Sequence, residues 1–258
     1  MEMTEYEPGV PSWIDLGTSD IAGASAFYGG LLGWETSPEG PPEAGGYRMF
    51  LLRGKPVAGL GPQMNPGPPF WASYVTVDDA DVAAARTVEL GGHVIVEPMD
   101  VLDVGRMAVL VDTIGAVFSV WQPKLHIGAE IVNEPGSLGW NELLSTDVDA
   151  SIAFYGGLFG WDAETQSGGP MPYTEWKLSG RSIGGMMPKP EMMPAEVPAH
   201  WAVYFIVEDA DASAAKVTEL GGTVVMPPMD IEPGRFAVIS DPQGATFNIM
   251  KLKVELGG

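Results

Sequence analysis

FYGGLLGW runs from Phe27 to Trp34, and FYGGLFGW runs from Phe154 to Trp161; the two octapeptides differ at one position. The correspondence widens on both sides. WIDLGTSD (13–20) aligns with WNELLSTD (140–147), and WASYVTVDDAD (71–81) with WAVYFIVEDAD (201–211). ELGGHVIVEPMD (89–100) aligns with ELGGTVVMPPMD (219–230), and GRMAVLVDTIGA (105–116) with GRFAVISDPQGA (234–245). The offset drifts by only a few residues, so insertions are small and belong in loops. A chain of 258 residues built this way consists of two copies of one domain, 11–122 and 138–252.

Each copy divides again by pattern. A strand over Trp13–Thr18 leads into a helix capped by Asp20 and ending near Gly33, and short strands follow at Tyr47–Leu52 and Val57–Leu60. The order then restarts with a strand at Trp71–Val77 and a helix opened by Asp78 and Asp79 and closed by Gly91–Gly92. Strands near Val94–Glu97, Gly105–Val111 and Ala116–Trp121 complete the half. The unit is βαβββ, present four times. Pro/Gly-rich stretches at 61–69 and 187–198 separate the units within each half, and 122–139 joins the halves. The first ten and last six residues are expected to fray.

Composition narrows the function. With 45% hydrophobic and 18% charged residues the chain is that of an ordinary globular protein. Its longest apolar run, WAVYFIV at 201–207, is far short of the ~20 residues a membrane-spanning helix needs. The acidic N-terminus has neither the basic nor the apolar region of a secretory signal, so the cytoplasm is the expected compartment. There is no cysteine, hence no disulfide, thiolate nucleophile or thiolate metal site. Thirteen Lys+Arg against 34 Asp+Glu leave a net charge of −21, which repels nucleic acid and anionic membrane surfaces and suits a neutral or cationic small molecule.

Four βαβββ units, FYGGLLGW-type helix ends, VDDAD helix starts and DPQGA before the last strand resemble the vicinal oxygen chelate superfamily, the glyoxalase, bleomycin-resistance and extradiol-dioxygenase group. The likeness covers about 11–252 and is strongest to tandem, two-domain, glyoxalase-like actinobacterial members. It implies an α+β fold of two tandem glyoxalase-like domains, in which four βαβββ modules form two open, cup-shaped sheets.

Strand alternation then assigns the faces. Ile14 and Leu16 suit packing on the helix, leaving Trp13 and Asp15 for the cup. Ala72, Tyr74 and Thr76 face the cup from the next module, as do Val117, Ser119 and Trp121 from its last strand. The second copy presents Trp140 and Glu142, then Ala202, Tyr204 and Ile206, then Thr246, Asn248 and Met250. Trp71 and Trp201 alternate toward the helix side.

The resemblance also locates the metal ligands of relatives that use one. A His or Gln seven residues before the helix-opening aspartate maps to Trp13 and Trp140. A second His maps to Ala72 and Ala202, a terminal Glu to Ser119 and Asn248, and a fourth-strand position to Gly59 and Gly185. Tryptophan, alanine and glycine side chains offer no ligand atom for a divalent cation. No cofactor or metal is therefore expected, and a metal-dependent lyase or dioxygenase is the least favoured reading. The three histidines are scattered, His93 after a helix, His126 in the linker and His200 beside a strand start; only His200 adjoins a cup and could act as an acid or base. Asp15 and Glu142 are the carboxylates expected in the cups, either as general bases or as partners for a ligand's hydroxyl or amine.

What remains is aromatic and apolar, suited to stacking a planar molecule or to filling the cup as core. Trp13, Asp15, Tyr74, Ser119, Trp121, Trp140, Glu142, Tyr204, Asn248 and Met250 are the expected ligand-binding residues. The expected function is metal-free binding of a hydrophobic, planar aromatic small molecule by a monomer or weak homodimer, in antibiotic or polyketide sequestration, self-resistance or biosynthesis. The alternative is a cofactor-free isomerase, cyclase or hydrolase using Asp15, Glu142 or His200.

Overall fold

A computed structural model describes residues 1–64, 67–168 and 171–253. The helices begin where a carboxylate can cap them. Asp20 and Asp147 each accept the backbone N–H three residues on, and Asp79 and Asp209 each accept two N–H groups of the first turn. Gly33 and Gly160 end their helices at φ 73° and 71°, a left-handed conformation that costs a side-chain-bearing residue.

The first module is β1 (Pro11–Thr18), α1 (Ile21–Leu32), a short β2 (Glu35–Thr36), β3 (Arg48–Leu52) and β4 (Lys55–Pro62). The second is β5 (Phe70–Thr76), α2 (Ala80–Glu89), β6 (His93–Val101), β7 (Gly105–Val111) and β8 (Val117–Pro123). The third is β9 (Leu138–Ser145), α3 (Val148–Phe159), β10 (Asp162–Gln166), β11 (Tyr173–Leu178) and β12 (Arg181–Pro188). The fourth is β13 (His200–Ile206), α4 (Ala210–Glu219), β14 (Thr223–Asp230), β15 (Gly234–Ser240) and β16 (Thr246–Leu252). The four βαβββ modules form two open eight-stranded sheets, ordered β2-β3-β4-β1-β5-β8-β7-β6 and β10-β11-β12-β9-β13-β16-β15-β14. In each sheet the two modules meet along one antiparallel pair, β1 with β5 and β9 with β13.

The helical faces of the sheets bury the core, and that core crosses between halves. One cluster joins Ile14, Phe27, Tyr28 and Trp71 of the first half to Phe205, Val217 and Phe247 of the second. The other joins Val75, Leu110 and Phe118 to Phe154, Tyr155 and Trp201. The repeated octapeptide is the lock. A Cβ on Gly222 would lie 2.9 Å from the Phe27 ring, and one on Gly92 would lie 3.0 Å from the Phe154 ring, so each FYGG phenylalanine seats on the ELGG turn of the other half. Gly30 and Gly157 let Leu220 and Leu90 approach to within 2.9 and 2.8 Å of where their own Cβ atoms would stand. Tyr28, next in the octapeptide, donates its hydroxyl to Asp241 Oδ2 at 3.0 Å, and Tyr155 repeats this with Asp112 at 2.9 Å.

The N-terminal ten residues do not fray. Met3 N donates to Glu130 O at 2.9 Å, Tyr6 Oη to Ala129 O at 2.7 Å and Gly9 N to Thr76 O at 2.8 Å, so the segment is fastened to the interdomain linker and to β5. Backbone groups that find partners outweigh the tendency of termini to disorder. The expectation for the C-terminal tail falls mostly on 254–258, and that for the 61–69 linker partly on 65–66, outside the described residues. Among the described residues no helix is long and apolar enough to cross a membrane.

Candidate functional site: two duplicated aromatic cups

The sheet faces turned away from the helices carry the cup residues. In the first cup Trp13 Nε1 donates to the Tyr47 hydroxyl at 3.1 Å, and the Tyr74 hydroxyl donates to Asp15 Oδ2 at 2.8 Å. Tyr47 also reaches Asp15 Oδ2, at 3.4 Å. The second cup repeats the arrangement: Trp140 Nε1 donates to the Tyr173 hydroxyl at 2.8 Å, and the Tyr204 hydroxyl donates to Glu142 Oε1 at 2.7 Å. Each network is a tryptophan, a bridging tyrosine, one carboxylate and a second tyrosine.

The strand register explains why these residue types recur. Asp15 lies between Gly59 on β4 and Ala72 on β5, and Glu142 lies between Gly185 on β12 and Ala202 on β13. A Cβ on Gly59 would stand 1.8 Å from the Tyr47 hydroxyl oxygen, and one on Gly185 would stand 2.0 Å from that of Tyr173. Glycine is required because a phenol crosses the strand there. Tyr47 and Tyr173 are the functional candidates that sequence reasoning missed, although a Tyr…Gly pair at equal spacing in both copies was available as a signal.

Desolvation pushes the Asp15 carboxyl up to about 6, against the lowering effect of the Tyr74 and Tyr47 hydroxyls. Glu142 is raised for the same reason, again partly offset by Tyr204 and Tyr173. Unfolded, Asp15 would lose its proton near its ordinary value of 3.8. Across the window from about pH 4 to 6 the folded state therefore holds the extra proton, and Asp15 lowers stability as pH rises. The Asp15→Asn variant should gain on the wild type over that window, by about 1–3 kcal/mol, and hold a constant lead above it. Denaturant melts at intervals from pH 4.5 to 8 measure the difference; a gap that does not change with pH contradicts the raised carboxyl.

All ten expected binding residues lie where alternation placed them, on the cup faces. Trp13, Tyr74 and Trp121 form one buried cluster with Met49 and Met107 against it, and Tyr204 and Met250 form the other with Trp140 and Phe236. Ser119 pairs in register with Tyr74 and Asn248 with Tyr204. Asn248 also donates to Val203 O at 3.4 Å. Trp13 is only 3% exposed, whereas Trp140 is half-buried. Trp71 and Trp201 sit in the cores, their indole N–H groups donating to Tyr28 and Tyr155.

His200 opens β13 as expected, opposite Leu144 and on the face that carries Ala202 and Tyr204, with Nδ1 2.9 Å from Pro198 O. His126, assigned by the sequence only to the linker, lies in the first cup with its ring against Trp13 and Trp121. The reason is that the linker is pinned across the strands instead of swinging free.

The donor set does not fit a metal ion. Trp13, Gly59, Ala72 and Ser119, or Trp140, Gly185, Ala202 and Asn248, supply no imidazole or carboxylate at the four positions. Among the described residues no three His, Cys, Asp or Glu side chains converge on a point. Elemental analysis after mild dialysis should find no stoichiometric Zn, Fe, Mn or Ni; one ion per cup, weakened by mutating a cup residue, contradicts this.

The model of the glyoxalase-like domain family matches residues 13–121 and 142–250. The chain is 43% identical over 256 residues to CFP32 of Mycobacterium tuberculosis, named as an unproven glyoxylase, covering 96% of this chain and 97% of that protein. It is 38% identical over 268 residues to the anthracycline biosynthesis protein DnrV of Streptomyces peucetius, covering 97% and 96%. Among solved structures it resembles the Mn(II)-bound glyoxalase of Novosphingobium aromaticivorans, with TM-score 0.66, 16% identity and coverage of 96% and 85%.

Proposed function

This chain belongs to the glyoxalase-like family of the vicinal oxygen chelate superfamily, and from that premise we propose that it is a metal-independent binding protein for a hydrophobic, planar aromatic small molecule. The observation that carries the reading is the duplicated Trp–Tyr–carboxylate–Tyr network. Only its tryptophans fall at positions that the family resemblance assigns to metal ligands, and it offers flat apolar walls around one acidic hydrogen-bonding group. Similarity to a protein named for anthracycline biosynthesis supports a planar polycyclic ligand of that class. The protein then sequesters such a compound or presents it to a biosynthetic enzyme, in the cytoplasm, as a monomer or weak homodimer. A cationic amino-sugar substituent would complement both the net charge of −21 and the cup carboxylates.

Titration with an anthracycline, followed by indole quenching, tests the reading. Asp15→Asn and Glu142→Gln should lower affinity by roughly tenfold or less, about one hydrogen bond to a charged group, with no turnover in any variant. Failure of every planar aromatic to bind the wild type sinks it. The Asp15 carboxyl, poised at about 6, favours one rival: a cofactor-free isomerase, cyclase or hydrolase using it as general base. Product formation that vanishes in Asp15→Asn while binding persists would establish that rival.

A further inference from the structure

We propose that His126, carried on the interdomain linker, is a ligand-recognising residue of the first cup, its Nε2 pairing with an uncharged hydroxyl on a planar aromatic ligand. The inference rests on the aromatic-binding reading above and adds to it a recognition element from outside the repeated scaffold.

The linker is held as a strap. Lys124 N and His126 N both donate to Val104 O, at 3.1 and 3.0 Å, Ala129 N donates to Ser12 O at 2.8 Å, and Glu130 N to Pro56 O at 2.8 Å. The strap thus passes from the β6–β7 turn over to β1 and β4. Trp121 Nε1 donates to His126 O at 2.8 Å, which fixes the backbone at the histidine itself. The imidazole meets the Trp13 ring edge-on, at a centroid distance of 4.4 Å and 85°, and the Trp121 ring at 5.7 Å and 68°. His126 and the two indoles make three sides of an aromatic box at one end of the cup.

Within that box the Nε2 atom is buried and has no hydrogen-bond partner. Buried polar atoms in folded proteins nearly always find partners, because leaving one unpaired forfeits its hydration. A ligand hydroxyl supplies the missing partner. Desolvation holds the imidazole down to about 4, so at neutral pH the ring is uncharged and can donate or accept at Nε2 according to tautomer. A hydroxyl, which itself both donates and accepts, can pair with either tautomer.

The probes are 2,6-dihydroxyanthraquinone and 9,10-anthraquinone, alike in planar shape and different in hydroxyls. The wild type should prefer the dihydroxy compound about five- to tenfold, and His126→Phe, which keeps an aromatic ring in the box, should reduce that preference to about twofold or less. In the wild type, long-range ¹H–¹⁵N spectra of the three imidazoles should show the His126 nitrogens shifting on ligand addition, which decides the matter even if the variant does not fold. A preference undiminished in His126→Phe, or unmoved His126 nitrogens while the ligand binds, overturns the assignment and leaves the aromatic-binding reading intact. If neither compound binds the wild type, both fall together.

Discussion

Replacing Phe27 by alanine should cost about 3–5 kcal/mol and lower the melting temperature by on the order of 10 °C, with both halves still unfolding in one transition. Phe27 is 2% exposed, is carried by a helix of the first half and sits against Phe247 and the Gly222 turn of the second. Its removal leaves a cavity that neither half can close alone, because the surrounding rings of Tyr28 and Phe247 are held by further contacts. Phe154→Ala should behave the same way, since Phe154 packs on Phe118 and the Gly92 turn. Calorimetry compared with indole fluorescence tests this. Two separate transitions, only one of them shifted, would mean that the halves hold independent cores.

Trp140→Ala should weaken a bound planar aromatic by about 1–3 kcal/mol, roughly 5- to 150-fold in dissociation constant. Trp140 keeps accessible surface, lies in the cup beside Tyr204 and Met250, and is oriented by the Tyr173 hydroxyl. Trp13→Ala should also weaken binding, but Trp13 lies under His126 and is almost fully buried, so alanine there opens a cavity as well as removing a wall. Trp13→Phe separates the two effects by keeping a ring. Fluorescence titration of the variants, each first checked for a cooperative melt, supplies the measurement. A ligand that binds equally well to all three would show the tryptophans to be core and the cup assignment to be mistaken.

Much of the candidate site could be read in advance because a strand's faces follow from a period of two. Trp13 and Asp15 were separable from Ile14 and Leu16, and Trp140 and Glu142 followed as their equivalents, without any structure. The bridging phenols were not. Tyr47 precedes β3, and to reach Asp15 it must cross β4, so its role depends on strand order and not on its neighbours in sequence. Tyr173 escaped for the same reason. His126 lies outside any alternating segment, and long-range hydrogen bonds at Lys124, Ala129, Glu130 and His126 itself, together with the one from the Trp121 indole, bring it over the first cup.

The sequence by itself determined the duplication, the four βαβββ modules, the aspartate caps and glycine stops of the helices, the faces of β1, β5 and β8 with their second-half equivalents, and that neither imidazole nor carboxylate stands at the positions the family resemblance assigns to metal ligands. All of these are local or follow from aligning one copy with the other. Only the tertiary structure decided that α1 packs with the fourth module and α3 with the second, that FYGG of one half closes on ELGG of the other, and that a linker histidine enters the first cup. Both copies carry the same apolar stripes, so burial within one half and burial across halves satisfy the same pattern. The choice between them rests on the approaches of Leu220 to Gly30, Leu90 to Gly157, Phe27 to Gly222 and Phe154 to Gly92, which exist only once the two sheets are brought together.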